Sequence, residues 1–352
     1  MQKRITVVAG DGIGPEVTKE AVRVLEAVAD KFGHRFTFDE QLIGGAAIDA
    51  TGEPLPAATI ESCKQSDAIL LGAVGGPKWD QIEVSKRPER GLLAIRKEFD
   101  LFSNLRPVKA VETLIQASPL KEEIAKDVDL MIVRELTGGL YFGTPSFHDE
   151  EQAVDTLQYS REEIERIVDN AFEIAMKRSK RLTSVDKANV LSSSRLWRQI
   201  VEEKKVNYPE VEVHHQLVDS VAMSLITNPK AFDVVVTENM FGDILSDEAS
   251  VITGSLGLLP SASMNGDGFG LYEPVHGSAP DIAGQGKANP AATILSAAMM
   301  LTYSFGLLEE AQAIEDAVYG TFNDGLFTSD LQRSGNGMTT TEWTDEVIKR
   351  LK

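Results

Sequence analysis

The fold prediction starts from the segment Ile5-Thr6-Val7-Val8-Ala9-Gly10-Asp11-Gly12-Ile13-Gly14-Pro15-Glu16. A β-branched run leads into closely spaced glycines, and a periodic helix is predicted from about Val17 to Ala29. The glycines are one residue out of register for the G-x-G-x-x-G dinucleotide fingerprint, and Pro15 stands where the third glycine belongs. We interpret the stretch as a tight strand-to-helix turn, with Pro15 at the first helical position and Glu16 favouring the helix N-terminus. The alternative, a Rossmann crevice with Asp39 or Glu40 as its acid, stays open on this motif alone.

The rest of the chain alternates strand-like runs with amphipathic helices. Apolar runs at 36–39, 68–71, 130–133, 185–191 and 234–236 predict strands, and helices are predicted from about Asn289 onward. Residues 137–159 are rich in Gly, Pro and Thr, which indicates short strands or an extended arm. This alternation predicts an α/β fold with covered sheet faces.

Length and composition limit the classes of protein. The chain has 352 residues and a net charge of −19, which disfavours binding to nucleic acids or anionic membranes. It has no run of about 18 apolar residues that would span a membrane, and its N-terminal apolar run is too short for a signal peptide. A single cysteine, Cys63, excludes an internal disulfide, and the scattered histidines argue against zinc. We therefore expect a cytoplasmic enzyme.

Two aspartates four residues apart are candidate metal ligands. Asp243 and Asp247 would lie on one face of a helix, where like charges repel unless a cation lies between them. Hard oxygen ligands without a nearby His or Cys favour Mg²⁺ or Mn²⁺. Asp219 is a third candidate, in an apolar approach to a helix where an unpaired charge would be costly. A solvated acidic helix face would explain the pair equally well.

Three arginines are candidate anion-binding groups. Arg134 follows the strand-like run at 130–133, and Pro107 restricts the backbone beside Arg106. Arg96 ends the segment Gly91-Leu92-Leu93-Ala94-Ile95-Arg96. A guanidinium group can bind a carboxylate through two parallel hydrogen bonds. An acidic protein that binds an anion must gather such cations locally. Three separate surface ion pairs remain the alternative.

Two further segments carry polar groups suited to chemistry. Lys187, flanked by strand-like residues, is predicted to be partly buried, which would lower its pKa and suit it to proton transfer. Tyr141 places a phenol on a glycine-rich segment. In the stretch at 273–290, small residues allow backbone amides to approach a phosphate or an adenine, and Asp281 could accept hydrogen bonds from ribose hydroxyls. Structural roles for Lys187 and Tyr141, and an ordinary surface loop at 273–290, are the alternatives.

Taken together, these segments closely resemble the isocitrate/isopropylmalate (β-decarboxylating) dehydrogenase family. The resemblance rests on GDGIGPEV (10–17), NLRP (104–107), DKANVL (186–191), FGDILSDEAS (241–250), EPVHGSAPDIAG (273–284) and Asn289-Pro290. These segments are long, mutually consistent and spread over most of the chain. The family's fold is α/β but not Rossmann, which agrees with our interpretation of the first glycine cluster.

The resemblance implies roles for individual residues. Substrate carboxylates are expected at Arg96, Arg106 and Arg134, and a magnesium or manganese ion at Asp219, Asp243 and Asp247. Asp219, Glu89, Leu92 and Leu93 are also expected to border the substrate, and Lys187 and Tyr141 to transfer protons. Contacts to NAD are expected from Gly75, Gly76, Glu89, Asn189, Glu273, His276, Gly277, Ser278, Ala279, Asp281, Ile282 and Asn289.

The resemblance also implies an activity and an organisation. Among family members the chain is most similar to those that oxidise and decarboxylate (2R,3S)-3-isopropylmalate with NAD⁺ in leucine biosynthesis. Tartrate or another alkylmalate as substrate, or a non-catalytic anion- or nucleotide-binding protein, are the alternatives. Residues 1–101 and 254–352 are expected to form the NAD-binding domain, and 102–253 the substrate, metal and dimerisation domain. A homodimer is expected, with an interfacial arm at about 137–159 and with Lys187 and Asp219 crossing to the partner's site.

Overall fold

The structure is a computed structural model, and it describes residues 1–252, 254, 256–332 and 337–352. Its strands are β1 (Gln2–Gly10), β2 (Arg35–Glu40), β3 (Ala68–Ala73), β4 (Ser103–Lys109), β5 (Asp129–Glu135), β6 (Phe147–His148), β7 (Ala153–Val154), β8 (Arg181–Asp186), β9 (Glu212–Leu217), β10 (Val234–Thr237), β11 (Pro260–Met264) and β12 (Gly270–Pro274).

Helices alternate with these strands along most of the chain, which confirms the predicted α/β class. They are α1 (Gly14–Phe32), α2 (Gly44–Thr51), α3 (Ala57–Lys64), α4 (Pro88–Glu98), α5 (Glu122–Ala125), α6 (Arg161–Lys177), α7 (Ser192–Lys205), α8 (Val218–Thr227), α9 (Asn239–Ile252), α10 (Ala291–Tyr303), α11 (Leu308–Asn323) and α12 (Thr340–Leu351). Over the described residues, none of the helices is both long enough and apolar enough to cross a lipid bilayer.

The chain divides into two compact units, one formed by Met1–Phe99 with Ser255–Lys352 and the other by Asp100–Gly254. In the first unit the strand order is β2-β1-β3-β12-β11. β1 runs parallel to β2 and β3, β12 runs parallel to β3, and β11 and β12 form an antiparallel pair. Helix α10 is buried along almost its whole length and packs on β11 and β12, because its sequence is apolar on all sides.

In the second unit the strand order is β4-β5-β10-β8-β9. β4 is antiparallel to β5, and the remaining neighbours are parallel. Helices α6 and α9 pack against β5. The short strands β6 and β7 pair with each other inside the segment predicted as an arm.

The N-terminal turn has the predicted form, but its helix begins earlier than expected. Pro15 lies in the first turn of α1, which starts at Gly14 rather than near Val17, and Glu16 follows in the same turn. Gly12 has a φ of +57°, and a Cβ there would collide with the carbonyl oxygen of Ser278. The glycine is therefore needed for close packing between two backbone segments, and this accounts for the fingerprint-like spacing without a Rossmann crevice.

One strand was predicted at the wrong position along the sequence. The run at 185–191 was expected to be a strand, but β8 covers Arg181–Asp186 and the residues after it form a turn. Polar residues at 181, 183, 184 and 186 hide the strand from a search for apolar runs, although most of the strand is buried. Lys187 consequently follows the strand end, and α/β folds place functional side chains at strand ends.

Candidate active site

Helix α9 carries the predicted pair of aspartates on one face. Asp243 and Asp247 are separated by one helical turn, and their side chains are 37% and 66% exposed. The helix packs against β4 and β5. Gly242 makes the approach possible, because a Cβ there would lie 2.6 Å from Cγ of Arg134.

Strand register brings two of the predicted arginines to this helix. Asn104 of β4 pairs directly with Arg134 of β5, so their side chains share a face of the sheet. Arg106 lies two residues beyond Asn104 and therefore points to the same face. Both arginines are nearly buried, since 12% of the Arg106 side chain and 5% of the Arg134 side chain are exposed.

Each arginine is held by a neutral side chain and an aspartate. Arg134 donates from Nε and Nη2 to Oδ1 of Asn239, and from Nη1 to Oδ1 of Asp243 at 2.6 Å. Arg106 donates from Nε to Asn104 at 2.9 Å, and from Nη1 to Asp247 at 3.3 Å. These opposite charges lie together at one surface of the second unit, where an anion and a cation could bind side by side.

Tyr141 belongs to the same cluster. It ends a 3₁₀ turn after β5, and its hydroxyl donates a hydrogen bond of 3.0 Å to Oδ2 of Asp243. Burial raises the pKa of the Tyr141 phenol, and the carboxylate of Asp243 acts in the same direction. The phenol thus holds its proton at neutral pH, as a proton donor must.

Lys187 and Asp219 form a second cluster in the same unit. Nζ of Lys187 lies 2.5 Å from Oδ1 of Asp219, and this hydrogen bond lowers the pKa of the Asp219 carboxyl. Lys187 is partly buried, with 28% of its side chain exposed. The apolar surroundings predicted for Asp219 are not found, since its side chain is 59% exposed, and its charge is paired with Lys187.

The donor set tests whether a divalent ion fits. Asp243 and Asp247 provide hard carboxylate oxygens at one exposed place, as Mg²⁺ and Mn²⁺ require. Over the described residues, no group of three or more His, Cys, Asp or Glu side chains is arranged to hold a metal ion. One chain thus offers two of the three predicted ligands together, while its Asp219 is paired with Lys187.

The third predicted arginine lies in the first unit, on α4. Nη2 of Arg96 forms an ion pair of 2.6 Å with Glu273 of β12. Its Nε is buried and has no hydrogen-bond partner among the described residues. Leu92 and Leu93, one turn earlier, are half-buried. Arg96 thus lies on the same face of α4 as two apolar side chains, which suits a carboxylate with an alkyl substituent.

The predicted cofactor loop follows β12. Nδ1 of His276 bonds to the carbonyl oxygen of Gly277 at 2.9 Å, and burial lowers the pKa of its imidazole. A neutral imidazole that donates from Nδ1 leaves Nε2 as an acceptor, and this buried atom has no partner among the described residues. The loop therefore keeps one directed acceptor, suited to an amino group such as that of adenine.

The other residues predicted to contact NAD differ from His276 in exposure and in hydrogen bonding. Asp281 is exposed, Ser278 is buried, and Ala279 has a left-handed φ of 37°. Asn289 is buried, and its side chain bonds to Thr328 and to the first backbone amide of α10. Asn189 belongs to the second unit and is exposed in the turn after β8.

No role was predicted for Asp11, but it holds the backbone at Gly75, which lies against the predicted residue Glu89. Its buried carboxylate accepts hydrogen bonds of 2.7–2.8 Å from the backbone amides of Gly45, Ala46 and Gly75. Gly75 has a φ of +104°, and a Cβ there would lie 2.6 Å from Oε1 of Glu89. An acid between two glycines at a strand end was the signal that could have revealed this role.

Two asparagines were also missed. Asn104 precedes Arg106 by two residues on one strand, and Asn239 precedes Asp243 by four on one helix, so each shares a face with a predicted site residue. A search for amides at these spacings could have found both.

Comparisons with known proteins identify the family of this chain. The model of the isocitrate/isopropylmalate dehydrogenase family matches residues 4–347. A 3-isopropylmalate dehydrogenase of Heyndrickxia coagulans is 63% identical over 355 residues, covering 100% of this chain and 97% of that protein.

The crystal structure of isocitrate dehydrogenase from Methylococcus capsulatus matches with a TM-score of 0.86 at 35% identity, covering 99% of each chain. A β-decarboxylating dehydrogenase from Thermococcus kodakarensis matches with a TM-score of 0.82 at 38% identity, covering 99% of this chain and 96% of that one. The predicted fold and family resemblance are confirmed.

Proposed function

The chain belongs to the isocitrate/isopropylmalate dehydrogenase family, and from this premise we propose that it acts on (2R,3S)-3-isopropylmalate. It is an oxidoreductase that oxidises and decarboxylates this substrate to 4-methyl-2-oxopentanoate and CO₂, with reduction of NAD⁺, in leucine biosynthesis. The relative from Heyndrickxia coagulans, 63% identical over the whole chain, bears the name of this activity.

One observation carries the proposal. Arg134, Asp243 and Tyr141 form a continuous hydrogen-bonded row, with an anion-binding group, a metal ligand and a proton donor in contact. Oxidative decarboxylation of a 2-hydroxy diacid needs these three groups, since the substrate is a dianion and its product takes up a proton. An unrelated surface ion pair would not need the phenol.

Substrate recognition follows from charge and from apolar area. We assign the two carboxylates to Arg96, Arg106 and Arg134, because guanidinium groups bind carboxylates through paired charge-assisted hydrogen bonds. Leu92 and Leu93 are assigned to the isopropyl group, whose burial contributes about 2–3 kcal/mol. The extra carboxylate of isocitrate would lack a partner at these leucines and would be disfavoured.

Two bound groups supply chemistry that side chains cannot. Asp219, Asp243 and Asp247 would hold a divalent cation, which would supply Lewis-acid chemistry at the reacting oxygens, and bound NAD⁺ would supply the hydride acceptor. Glu89, Gly75 and Gly76 are assigned to the nicotinamide side of the cofactor.

The chain's own residues move the protons. Lys187, acting through a water, removes the proton from the 2-hydroxyl oxygen. After CO₂ has left, Tyr141 donates its proton to C3. The raised pKa of this phenol keeps the proton available until that step. We place Lys187 and Asp219 in the site of the partner subunit of a homodimer.

The loop after β12 is assigned to the adenosine part of NAD. We assign Nε2 of His276, which has no hydrogen-bond partner among the described residues, to accept from the adenine amino group. Glu273, Gly277, Ser278, Ala279, Ile282, Asn189 and Asn289 complete the assigned cofactor contacts. Asp281 is exposed and suited to accept hydrogen bonds from the ribose hydroxyls, and its charge would repel the 2′-phosphate of NADP. We place the reaction in the cytoplasm.

The test is NADH formation by the purified protein, followed by absorbance. Four substrates are compared at equal concentration, namely 3-isopropylmalate, isocitrate, malate and tartrate, each with magnesium and with EDTA. We expect the highest kcat/KM for 3-isopropylmalate, loss of activity in EDTA and its recovery on adding Mg²⁺ or Mn²⁺. A higher kcat/KM for tartrate or isocitrate would overturn the substrate assignment. Full activity in EDTA would overturn the metal assignment.

A further inference from the structure

We propose that Asn239 is a positioning residue that couples the substrate-binding Arg134 to the segment that carries Tyr141. The inference rests on the proposed function, because it concerns when two groups of that reaction are aligned. Asn239 is 1% exposed and is the first residue of α9, one turn before Asp243. The groups that its amide bonds lie 101–105 residues away along the chain.

The oxygen of this amide fixes the arginine. Oδ1 of Asn239 accepts from Nε of Arg134 at 3.0 Å and from Nη2 at 2.7 Å. Two donors of one planar guanidinium on one oxygen set the plane of the group as well as its place. Nη1 is thereby directed to Asp243. A substrate carboxylate at Arg134 would meet a cation held in one orientation.

The nitrogen of the same amide fixes the segment with the phenol. Nδ2 donates to the carbonyl oxygen of Leu136 at 3.1 Å and to that of Gly138 at 3.0 Å. These carbonyls lie on either side of Thr137, and Tyr141 follows three residues after Gly138. All four hydrogen-bonding positions of the amide are used. Reversing the amide would turn donors toward donors, so the orientation is determined by the network.

The backbone of Asn239 is held as well. Its amide nitrogen donates to the hydroxyl of Tyr159 at 2.9 Å. The ring of Tyr159 lies against Gly138 and Gly139, where a Cβ would collide with it. The helix start, the arginine and the glycine segment thus share one rigid support, and a displacement of one would be transmitted to the others.

The test is a double-mutant cycle between Asn239 and Tyr141. Asn239→Asp has nearly the same shape and keeps acceptors for Arg134, but it removes both donors to the Tyr141 segment. We expect it to leave the KM for 3-isopropylmalate within about threefold, and to lower kcat about tenfold or more, as misplacement of a reacting group does. In the Tyr141→Phe background the same change should lower kcat by less than about twofold, since the group that it misplaces is absent.

Loss of a residue with only a structural role would lower the thermal midpoint without changing the ratio of kcat to KM. Ser103→Ala is the control, because it removes a partly buried hydrogen bond of this unit, to Asn170. It should lower the thermal midpoint without changing the ratio of kcat to KM.

If Asn239→Asp does not fold, Asn239→Ala enters the same cycle, with a raised KM expected because the acceptor for Arg134 is also lost. An equal loss of kcat in both Tyr141 backgrounds would overturn the inference. No activity of the wild-type protein with 3-isopropylmalate would instead overturn the proposed function.

Discussion

Arg134 and Asp243 neutralise each other in the free chain, and Arg106 and Asp247 do the same. A dianionic substrate and a divalent cation carry equal and opposite charges, so their joint binding would replace these ion pairs without leaving a net charge. Either one alone would leave nearly buried guanidinium groups or crowded carboxylates without a counter-charge, which is costly. The pairs therefore favour binding of both ligands together.

Replacing Tyr141 by phenylalanine separates binding from proton transfer. The variant loses the phenol proton but keeps the ring, and the ring lies near the Arg134 guanidinium, 6.0 Å from centroid to carbon. We expect kcat to fall about 10²–10⁴-fold, the usual contribution of a positioned proton donor, with little change in substrate affinity. Steady-state kinetics and a titration of substrate binding measure the two effects.

Tyr208→Phe provides the matched control. It removes the same atom from a tyrosine of the same unit that stacks on Phe172, with ring centroids 4.6 Å apart. This variant should keep wild-type kinetics. Wild-type turnover by Tyr141→Phe would contradict the assigned role of the phenol.

Among the elements, the antiparallel pair β4 and β5 with helix α9 makes the site. The register that places Asn104 opposite Arg134 also aligns Arg106 on the same face, and α9 covers that face with its aspartates. A shift of one residue in β4 would turn Asn104 and Arg106 to the opposite face. The register is thus as important for the site as the residues themselves.

Two glycines that flank α1 test the role of the N-terminal turn. Gly12 and Gly33 have φ values of +57° and +71°, so an alanine at either adopts a left-handed backbone, which costs roughly 1–2 kcal/mol. Only at Gly12 would the added Cβ collide with Ser278; at Gly33 no atom lies within 4 Å. We expect both alanine variants to lower the thermal midpoint, and only Gly12→Ala to raise the KM for NAD⁺. Equal KM values in the two variants would show that the turn does not support the cofactor loop.

For the whole molecule, the proposed metal site is the feature that one chain leaves incomplete. Asp243 and Asp247 lie together, whereas Asp219 pairs with Lys187, and the described residues hold no three-ligand group. An octahedral ion bound by two carboxylates needs further oxygen ligands. The proposed homodimer supplies one of them from the partner's Asp219.

Mixed dimers test this arrangement directly. One protomer carries Asp219→Asn and the other Asp247→Asn, and the two are co-expressed with different affinity tags. If Asp219 crosses to the other subunit, one site of the mixed dimer is intact and the other has both defects. We expect each pure variant to be inactive and the mixed dimer to regain about half of the wild-type activity at saturating Mg²⁺. An inactive mixed dimer would show that all three aspartates act within one chain.

The fold class and the chemistry of the chain could be predicted from the sequence alone. The glycine turn with Pro15, the aspartates at i and i+4, and the arginine beside Pro107 were readable because each depends on local spacing and residue type. The run at 185–191 was misread because β8 is buried by its neighbours in the sheet rather than by its own apolar pattern. Local periodicity does not record such burial.

Which side chains come into contact could not be predicted without the tertiary structure. Nothing in the sequence distinguishes Asn104 and Asn239 from other asparagines. They acquire roles because strand pairing and helix packing bring Arg106 and Arg134 to them. Asp11 is similar, since three backbone amides from two other segments converge on its carboxylate. These contacts link residues from distant parts of the chain, and their hydrogen bonds exist only once the sheet is assembled. Spacing along the sequence therefore predicts the reacting groups, whereas packing decides what holds them in place.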